Sequence, residues 1–407
     1  MRRFWVLAHR YIGLVMAGFL IVAGATGALI AFYHELEAAL APQLHHVAAP
    51  HAGAQPLDPF ALRDAVAARD PNTNVLWVDL HQPPETPATF SVEAKPGAAP
   101  PAFDEVFVNP YDGSIVAERR YGDLSQGAMN VMPFVYQLHY SLAAGVIGTY
   151  LFGFVALLWT IDCFIGAYLT FPRGSGRWFA RWRPAWGLRT QSGAAKFTFD
   201  LHRAGGLWVW AMLFVFAWSS VAFNLHEVYR PVMKLAVGYE EPRRDFPALA
   251  APLDAPPIDF RDAHRRLQAA MIARAAQDGF TIHHERLIHY DPGAGVYGYR
   301  VKSSRDVGDT LGNTMLFMDA RDGRMLRFIA PTGQNLGASI TTWLFALHMG
   351  QVFGLPFRIF VCLMGLVAVM LSVTGVLIWL RKRRARIVRR RNVPALAMRA
   401  ARERVDA

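Results

Sequence analysis

The chain is poor in cysteine. Only two of its 407 residues are cysteine, Cys163 and Cys362, and both lie inside apolar runs. No Cys-x-x-Cys occurs, which excludes a thiol relay, a covalently attached c-type haem and an iron–sulfur ligand set. The polar connections contain no cysteine, so they form no disulfides.

Several catalytic signatures are also absent. No Gly-x-Gly-x-x-Gly follows a strand, so no nicotinamide or flavin module is indicated. Neither Gly-x-Ser-x-Gly nor His-Glu-x-x-His is present, and His283-His284-Glu285 lies on a predicted strand without helical spacing. Protease chemistry is therefore unsupported.

Charged residues are scarce, at 18%, while hydrophobic residues make up 53% of the chain. This composition indicates a membrane protein with sizeable polar portions. Four runs are long enough to cross a bilayer as helices: residues 11–33, 148–171, 205–225 and 357–380. Arg358 is placed where it could reach the surface. Asp162 is an intramembrane carboxylate for which a quinol site, a proton path or simple helix pairing are all open.

The basic residues are concentrated at three places, which predicts the orientation. They flank the first run, fill the connection between the second and third runs, and follow the fourth run as a tail that includes Arg389, Arg390 and Arg391. Residues 34–130, in contrast, carry thirteen acidic and five basic side chains. The positive-inside rule then places both termini in the cytoplasm and the two long connections outside. Anionic lipid headgroups, rather than nucleic acid, are the expected partner of the tail.

A short motif occurs twice and divides the chain into two similar halves. His9-Arg10-x-x-Gly13-Leu14 opens the first apolar run, and His202-Arg203-x-x-Gly206-Leu207 opens the third. Leu138-His139 and Leu347-His348 precede the second and fourth runs, and His34-Glu35 and His226-Glu227 follow the first and third. Such duplication predicts two tandem copies of one plan.

Each long connection has the same predicted elements. Helices are expected at residues 58–69 and 259–277. Strands are expected at residues 74–81, 89–94, 105–109 and 114–118, and again at 281–290, 296–303, 313–319 and 324–329. The hairpin turns Asn109-Pro110-Tyr111-Asp112-Gly113 and Asp319-Ala320-Arg321-Asp322-Gly323 correspond. The expected fold is thus four transmembrane helices as two tandem repeats, with two periplasmic α+β units.

The predicted segments follow from these patterns. They are a first membrane helix (1–33), a periplasmic unit (34–130), an interfacial helix with the second membrane helix (131–172), a cytoplasmic loop (173–201), the third membrane helix (202–226), a second periplasmic unit (227–338), an interfacial helix with the fourth membrane helix (339–380) and a basic cytoplasmic tail (381–407).

Six of the fourteen histidines lie at duplicated positions: His9, His34, His139, His202, His226 and His348. Imidazole is the usual ligand of a haem iron held without covalent attachment. Zinc and non-haem iron compete, but both usually recruit cysteine or carboxylate ligands. In a helix the glycine at i+4 lies on the same face as the histidine, which leaves room for a flat macrocycle.

The helical rise limits which histidines share an iron. His9 and His34 are 25 residues apart, about 37 Å along a helix, so they cannot bind one metal. His9 and His202 form a natural inner pair. His34, His139, His226 and His348 could form one outer site with two residues spare, or two sites. Arg10 and Arg203 could neutralise haem propionates, although orientation alone would explain them.

These motifs resemble the PepSY-associated transmembrane helix family, which includes iron-regulated inner-membrane proteins and ferrisiderophore reductases. The resemblance extends from His9 to about Arg384, and the long connections resemble PepSY domains. It implies haem b, for which we expect two groups, and one-electron reduction of ferric siderophore at the periplasmic side of the bacterial inner membrane. The expected partners are membrane lipid, a ferric siderophore or other ferric chelate, and a quinol or cytoplasmic reductase as electron donor.

Two other classes of function compete. One is a PepSY-type regulatory or binding membrane protein without redox activity, in which the helices are anchors. A membrane anchor needs no paired histidines, so the paired histidines argue against this class of function. The other is transport, since transporters often contain repeats. The membrane runs contain almost no ionisable residues and no Pro/Gly breaks at matched positions. Both observations argue against transport.

Overall fold

The computed structural model describes residues 1–174, 176–240, 246–310 and 312–403, with side chains up to Val388. The side chains of Arg389, Arg390 and Arg391 and residues 404–407, all in the predicted basic tail, lie outside the described part. The chain forms two compact units. The first contains Met1–Ala28, His139–Leu225 and Cys362–Ala407, and the second contains Leu29–Leu138 and His226–Val361.

The secondary structure alternates long apolar helices with helix–sheet segments. The α-helices are α1 (Arg2–Ile30), α2 (Tyr33–Leu40), α3 (Pro59–Ala67), α4 (Val131–Ser141), α5 (Gly145–Thr170), α6 (Trp178–Trp182), α7 (Ala194–Trp208), α8 (Trp210–Asn224), α9 (His226–Val237), α10 (Phe260–Asp278), α11 (Leu336–His348) and α12 (Gly354–Glu403). The strands are β1 (Thr73–Val75), β2 (Trp77–Asp79), β3 (Ala88–Ala94), β4 (Glu105–Val108), β5 (Ile115–Arg119), β6 (Ile282–Asp291), β7 (Val296–Ser303), β8 (Thr314–Asp319) and β9 (Met325–Ile329).

Three helices are long and apolar enough to cross a membrane, namely α1, α5 and α12 up to Val388. The third predicted run is not one straight helix. It is the pair α7 and α8, bent by 71° at Val209, so the described residues contain four candidate spans if this pair is one span and three if it is not. Two indoles hold the break. Trp208 donates to the carbonyl of Trp186 at 3.0 Å, and Trp210 donates to the carbonyl of Cys163 at 2.8 Å.

Glycine allows α1 and α12 to approach closely within the first unit. A Cβ built on Gly24 would lie 2.6 Å from the carbonyl oxygen of Gly365, and a Cβ on Gly365 would lie 2.6 Å from that of Gly24. No side chain fits at such a distance, so the backbones themselves form the contact.

In the second unit the strands form two antiparallel sheets, in the orders β1-β3-β4-β5 and β2-β6-β7-β8-β9. The single strand predicted at residues 74–81 is in fact split between them. Val75 and Val78 are both fully buried, one in each hydrophobic core. Val75 pairs with Val92 in the first sheet and Val78 pairs with Ile288 in the second, so the chain passes from one sheet to the other at Leu76.

Each sheet is covered by one helix, which begins at an aspartate cap. The carboxylate of Asp58 accepts from the amide of Phe60 at 3.2 Å at the start of α3. The carboxylate of Asp259 accepts from the amide of Asp262 at 2.8 Å at the start of α10. Aspartate at this position satisfies amides that a helix leaves without an internal acceptor.

The two hairpin turns have matching hydrogen bonds to their backbone amides. The side chain of Asn109 accepts from the amide of Tyr111 at 3.0 Å, and the side chain of Asp319 accepts from the amide of Arg321 at 2.9 Å. Gly113 and Gly323 have φ of 76° and 79°. Both turns need glycine because this region of φ is costly for other residues.

Two ion networks anchor helix ends in the second unit. Arg119 is only 4% exposed and donates to Glu37 at 2.8 Å and to Glu105 at 2.5 Å. The side chain of Arg358 is paired rather than free in solvent. It donates to both carboxylate oxygens of Glu35 at 2.7 Å and to the carbonyl of Ala31 at the end of α1.

Candidate cofactor site

The first unit brings together the two histidines that begin the duplicated motif. The rings of His9, on α1, and His202, on α7, have centroids 6.0 Å apart and planes inclined by 56°. They are 193 positions apart in the sequence (202 minus 9) and meet because α1 and α7 face the same space.

Each of these rings is fixed through its Nδ1 atom. His9 Nδ1 lies 2.9 and 3.0 Å from the two carboxylate oxygens of Asp162 on α5. His202 Nδ1 lies 3.0 Å from the carbonyl of Leu371 and 3.0 Å from the hydroxyl of Thr374 on α12. A carbonyl or carboxylate oxygen only accepts hydrogen bonds, so in both rings the proton is on Nδ1. The lone pair of each neutral ring is then on Nε2, which has no hydrogen bond within the described residues.

A glycine on the neighbouring helix adjoins each ring. A Cβ built on Gly166 would lie 3.6 Å from Cε1 of His9, and one built on Gly375 would lie 3.3 Å from Cε1 of His202. The glycines of the motif itself, Gly13 and Gly206, line the cavity described next.

The two rings line a cavity of about 460 Å³, within the usual size range of small-molecule and cofactor sites. Its wall is mostly apolar and aromatic. Five cationic side chains also line it: Arg2, Arg10, Arg173, Arg203 and Lys382. The acidic residue in the same wall is Asp162, which is bonded to His9. Such a balance favours a ligand with anionic groups.

The arrangement fits a haem iron held by two imidazoles. A metal–nitrogen bond is about 2 Å and a ring nitrogen is about 1 Å from its ring centre, so two axial imidazoles have centroids about 6 Å apart. The observed separation of His9 and His202 is 6.0 Å. An anchored Nδ1–H with a second-shell acceptor is also the usual state of a metal-bound histidine.

Arg10 and Arg203 both line the cavity, but they differ in their contacts. Arg203 donates to Asp200 at 2.9 Å and to the carbonyl of Pro184 at 2.8 Å. Arg10 makes no ion pair or hydrogen bond with the described residues, so its guanidinium is available to a ligand.

His139, on α4, occupies a second position of the same kind in the first unit. Its Nδ1 lies 3.0 Å from the carbonyl of Ala23 and 3.1 Å from the hydroxyl of Thr26 on α1, and a Cβ on Gly27 would lie 3.0 Å from its Cε1. Burial lowers the pKa of His139 to about 4, so the ring is neutral at physiological pH. Thr26 follows His9 by 17 residues along α1, about 26 Å, so the two positions are separate.

The other three duplicated histidines belong to the second unit. His34 is exposed, and its ring lies 5.5 Å from that of Tyr33 and 6.5 Å from that of His45. His226 begins α9 and pairs with Glu227 at 3.3 Å, and His348 ends α11. Their assignment as ligands stays a prediction.

The groups that hold the rings were not predicted from the sequence. For Asp162 the sequence leaves a quinol site, a proton path and helix pairing open, and none of these roles is to hold His9. The signal was present as Thr26-Gly27-x-Leu29-Ile30 near the end of α1, which recurs as Thr374-Gly375-x-Leu377-Ile378 in α12. In each copy the threonine hydroxyl and a carbonyl three residues earlier accept from a histidine Nδ1.

Among the described residues, no three His, Cys, Asp or Glu side chains are grouped to hold a metal ion. A haem iron needs only two protein ligands, because the macrocycle supplies the others, so this observation does not test a bis-histidine haem.

Comparison with known proteins supports the sequence-based resemblance. No curated protein matches the chain. The family model described as the PepSY-associated TM region matches residues 6–382, which is most of the chain and includes His9, His139 and His202. The chain therefore belongs to the PepSY-associated transmembrane family of multi-pass membrane proteins, as its duplicated motifs predicted.

Proposed function

We propose that the chain is a haem-b-containing electron-transfer protein of the bacterial inner membrane, which reduces a ferric siderophore or another ferric chelate at the periplasmic side. The observation that carries the proposal is the 6.0 Å pairing of His9 and His202, each with its Nδ1 anchored and its Nε2 available. An anchor or a regulatory module has no use for such a pair.

Haem b, when bound, supplies reversible one-electron transfer at its iron. His9 and His202 hold it through Nε2, and their hydrogen-bonded Nδ1 atoms keep the rings in the ligating tautomer. Gly13 and Gly206 line the cavity without side chains, which would leave room for a flat ring. Arg10 neutralises a propionate, with Arg203 less available because it is bonded to Asp200.

His139 is proposed as a ligand of a second haem b, since its ring is neutral, its Nδ1 is anchored as in His202, and a glycine adjoins it. His34, His226 and His348 are retained as further candidate ligands from their duplicated positions. Two sites at opposite ends of α1 would let an electron cross the bilayer in steps through a low-dielectric bundle.

The orientation follows from the basic residues and completes the proposal. Both termini and the connection from α5 to α7 lie in the cytoplasm, and the two helix–sheet segments are PepSY-like periplasmic units of two tandem repeats. A quinol or a cytoplasmic reductase supplies electrons at the His9 end. The matching hairpin turns support a duplicated plan, while the pairing of β2 with β6 means that the larger sheet contains one strand from the first half.

Transport is the weaker alternative. The bend between α7 and α8 is a broken span of the kind transporters use. The corresponding helix of the first half, α1, runs unbroken from Arg2 to Ile30, so the breaks are not matched.

The deciding experiment is a dithionite-reduced minus oxidised spectrum of protein purified after expression with supplied haem, with haem quantified per chain. We expect a six-coordinate b-type spectrum, and loss of one spectral component in His9→Ala and His202→Ala. Colourless wild-type protein would refute the electron-transfer proposal and favour a PepSY-type regulatory or binding function.

A further inference from the structure

Asp162 is a buried carboxylate within a membrane helix, where a charge is costly and is commonly retained for function. Its side chain is 8% exposed, and both of its oxygens lie within 3.0 Å of His9 Nδ1. Among the described residues, His9 is the one hydrogen-bond partner of Asp162. The charge of this carboxylate therefore acts mainly on one imidazole.

The three anchored histidines of the first unit are not equivalent in this respect. His202 and His139 donate to a neutral carbonyl and a neutral threonine hydroxyl, at Leu371 and Thr374 and at Ala23 and Thr26. His9 instead donates to an anion, the carboxylate of Asp162. A hydrogen bond to a carboxylate draws the Nδ1 proton away and makes Nε2 a stronger electron donor than a bond to a neutral acceptor does.

We propose that Asp162 is a positioning and tuning residue that lowers the reduction potential of the haem held by His9 and His202. The inference rests on the proposed haem site. Its physical basis is that a fixed negative charge next to an axial ligand stabilises the ferric state, which carries one more positive charge than the ferrous state. In a low-dielectric bundle this effect is larger than in water.

The consequence is a direction for electron flow. A haem held by His9 and His202 would then be the stronger reductant, and a haem held by His139, whose Nδ1 lies near the carbonyl of Ala23 and the hydroxyl of Thr26, would be the better acceptor. Haem groups held by these residues would supply one-electron transfer from the His9 and His202 site to the His139 site, with no further reactant.

The test is a redox titration of the visible haem bands in purified protein. The component that disappears in His202→Ala identifies the site. Asp162→Asn keeps the size and an acceptor oxygen but removes the charge, and should favour the reduced form of that component at least tenfold, which is 59 mV for a one-electron couple. Asp262→Asn is the control, because it removes a carboxylate from the surface of α10, and it should change the ratio of oxidised to reduced haem by less than threefold.

Asp162→Glu tests the requirement for charge where the asparagine variant loses haem. The proposal is supported if Asp162→Asn loses haem while Asp162→Glu keeps it, with a ratio of oxidised to reduced haem within threefold of that of the wild type. The role of Asp162 is refuted if haem-loaded Asp162→Asn has the wild-type reduction potential, or if both variants lose haem. In either case a bis-histidine spectrum in the wild-type protein leaves the proposed function standing. Haem-free wild-type protein ends both.

Discussion

The imidazole of His202 lies against Gly375, with Cε1 only 3.3 Å from where a Cβ on that glycine would be. The ring is held there by the carbonyl of Leu371 and the hydroxyl of Thr374, both from the same helix as the glycine. A side chain at Gly375 would therefore push the ring away from the acceptors that set its tautomer.

This relationship gives a graded prediction for three alanine substitutions. The added Cβ would lie 3.0 Å from the ring of His139 in Gly27→Ala, 3.3 Å from that of His202 in Gly375→Ala and 3.6 Å from that of His9 in Gly166→Ala. We expect haem affinity to fall by roughly tenfold or more in Gly27→Ala, since ligand-orienting contacts contribute about that much. Gly375→Ala should have a smaller effect.

Gly166→Ala is the control, because 3.6 Å is an ordinary van der Waals contact. Haem quantified per chain during dilution or haem-transfer assays measures the series. Equal losses in all three variants would show that the glycines serve helix packing alone and not the placement of the rings.

A second prediction concerns the buried ion network of the second unit. Arg119→Met removes the cation shared by Glu37 and Glu105 and leaves two poorly hydrated carboxylates. We expect a loss of about 3–5 kcal/mol in the free energy of unfolding, as for other broken buried pairs. Thermal melting of the detergent-solubilised protein, with protease sensitivity of the second unit, would measure it.

Arg265→Met is the matched control for Arg119. Its side chain is 75% exposed and pairs with Asp262 on the surface of α10. Such a pair contributes about 1 kcal/mol or less. Similar melting of the two variants would mean that the network of Arg119 adds nothing beyond a surface ion pair.

Which contacts could be predicted from the sequence depends on how far apart along the chain the interacting residues lie. The pairing of His9 with His202 and the matching turns at Asn109 and Asp319 follow from duplication, because equivalent segments adopt equivalent structures. The partner of His9 did not follow. Asp162 is 153 residues away and has no duplicated counterpart among the residues that hold His202, so no pattern connected the two.

Strand pairing was the other limit. The predicted strand at residues 74–81 carries suitable β-branched and aromatic residues, but periodicity cannot tell that β2 leaves its own sheet for β6. The pairing of Val75 with Val92 and of Val78 with Ile288, which are long-range contacts, shows this change of sheet. Similarly, the bend at Val209 depends on indole hydrogen bonds to Trp186 and Cys163, which are tertiary contacts rather than local preferences.

The third prediction is the topology. Reporter fusions after Arg183 and after Arg391 should be active in the cytoplasm, and fusions near Pro96 and Asp291 should be active in the periplasm. Pro96 follows β3, and Asp291 is an exposed residue at the end of β6, so insertion there should disturb the sheets little. A cytoplasmic signal at either of these two positions would overturn the proposed orientation.

The last prediction concerns the direction and the acceptor of the electrons. Iron is suited to release by reduction, because the ferrous ion binds hard oxygen ligands more weakly than the ferric ion does. Reduced protein mixed with a ferric siderophore in a stopped-flow instrument should therefore be reoxidised, with ferrous iron trapped by a chelator in equal amount. His139→Ala should slow or stop this reoxidation while the haem held by His9 and His202 stays bound. His202→Ala should instead leave the haem at His139 bound and prevent its reduction from the quinol side. Wild-type protein that carries haem but is not reoxidised by any ferric chelate would refute the reductase assignment and leave an electron-transfer protein with another acceptor.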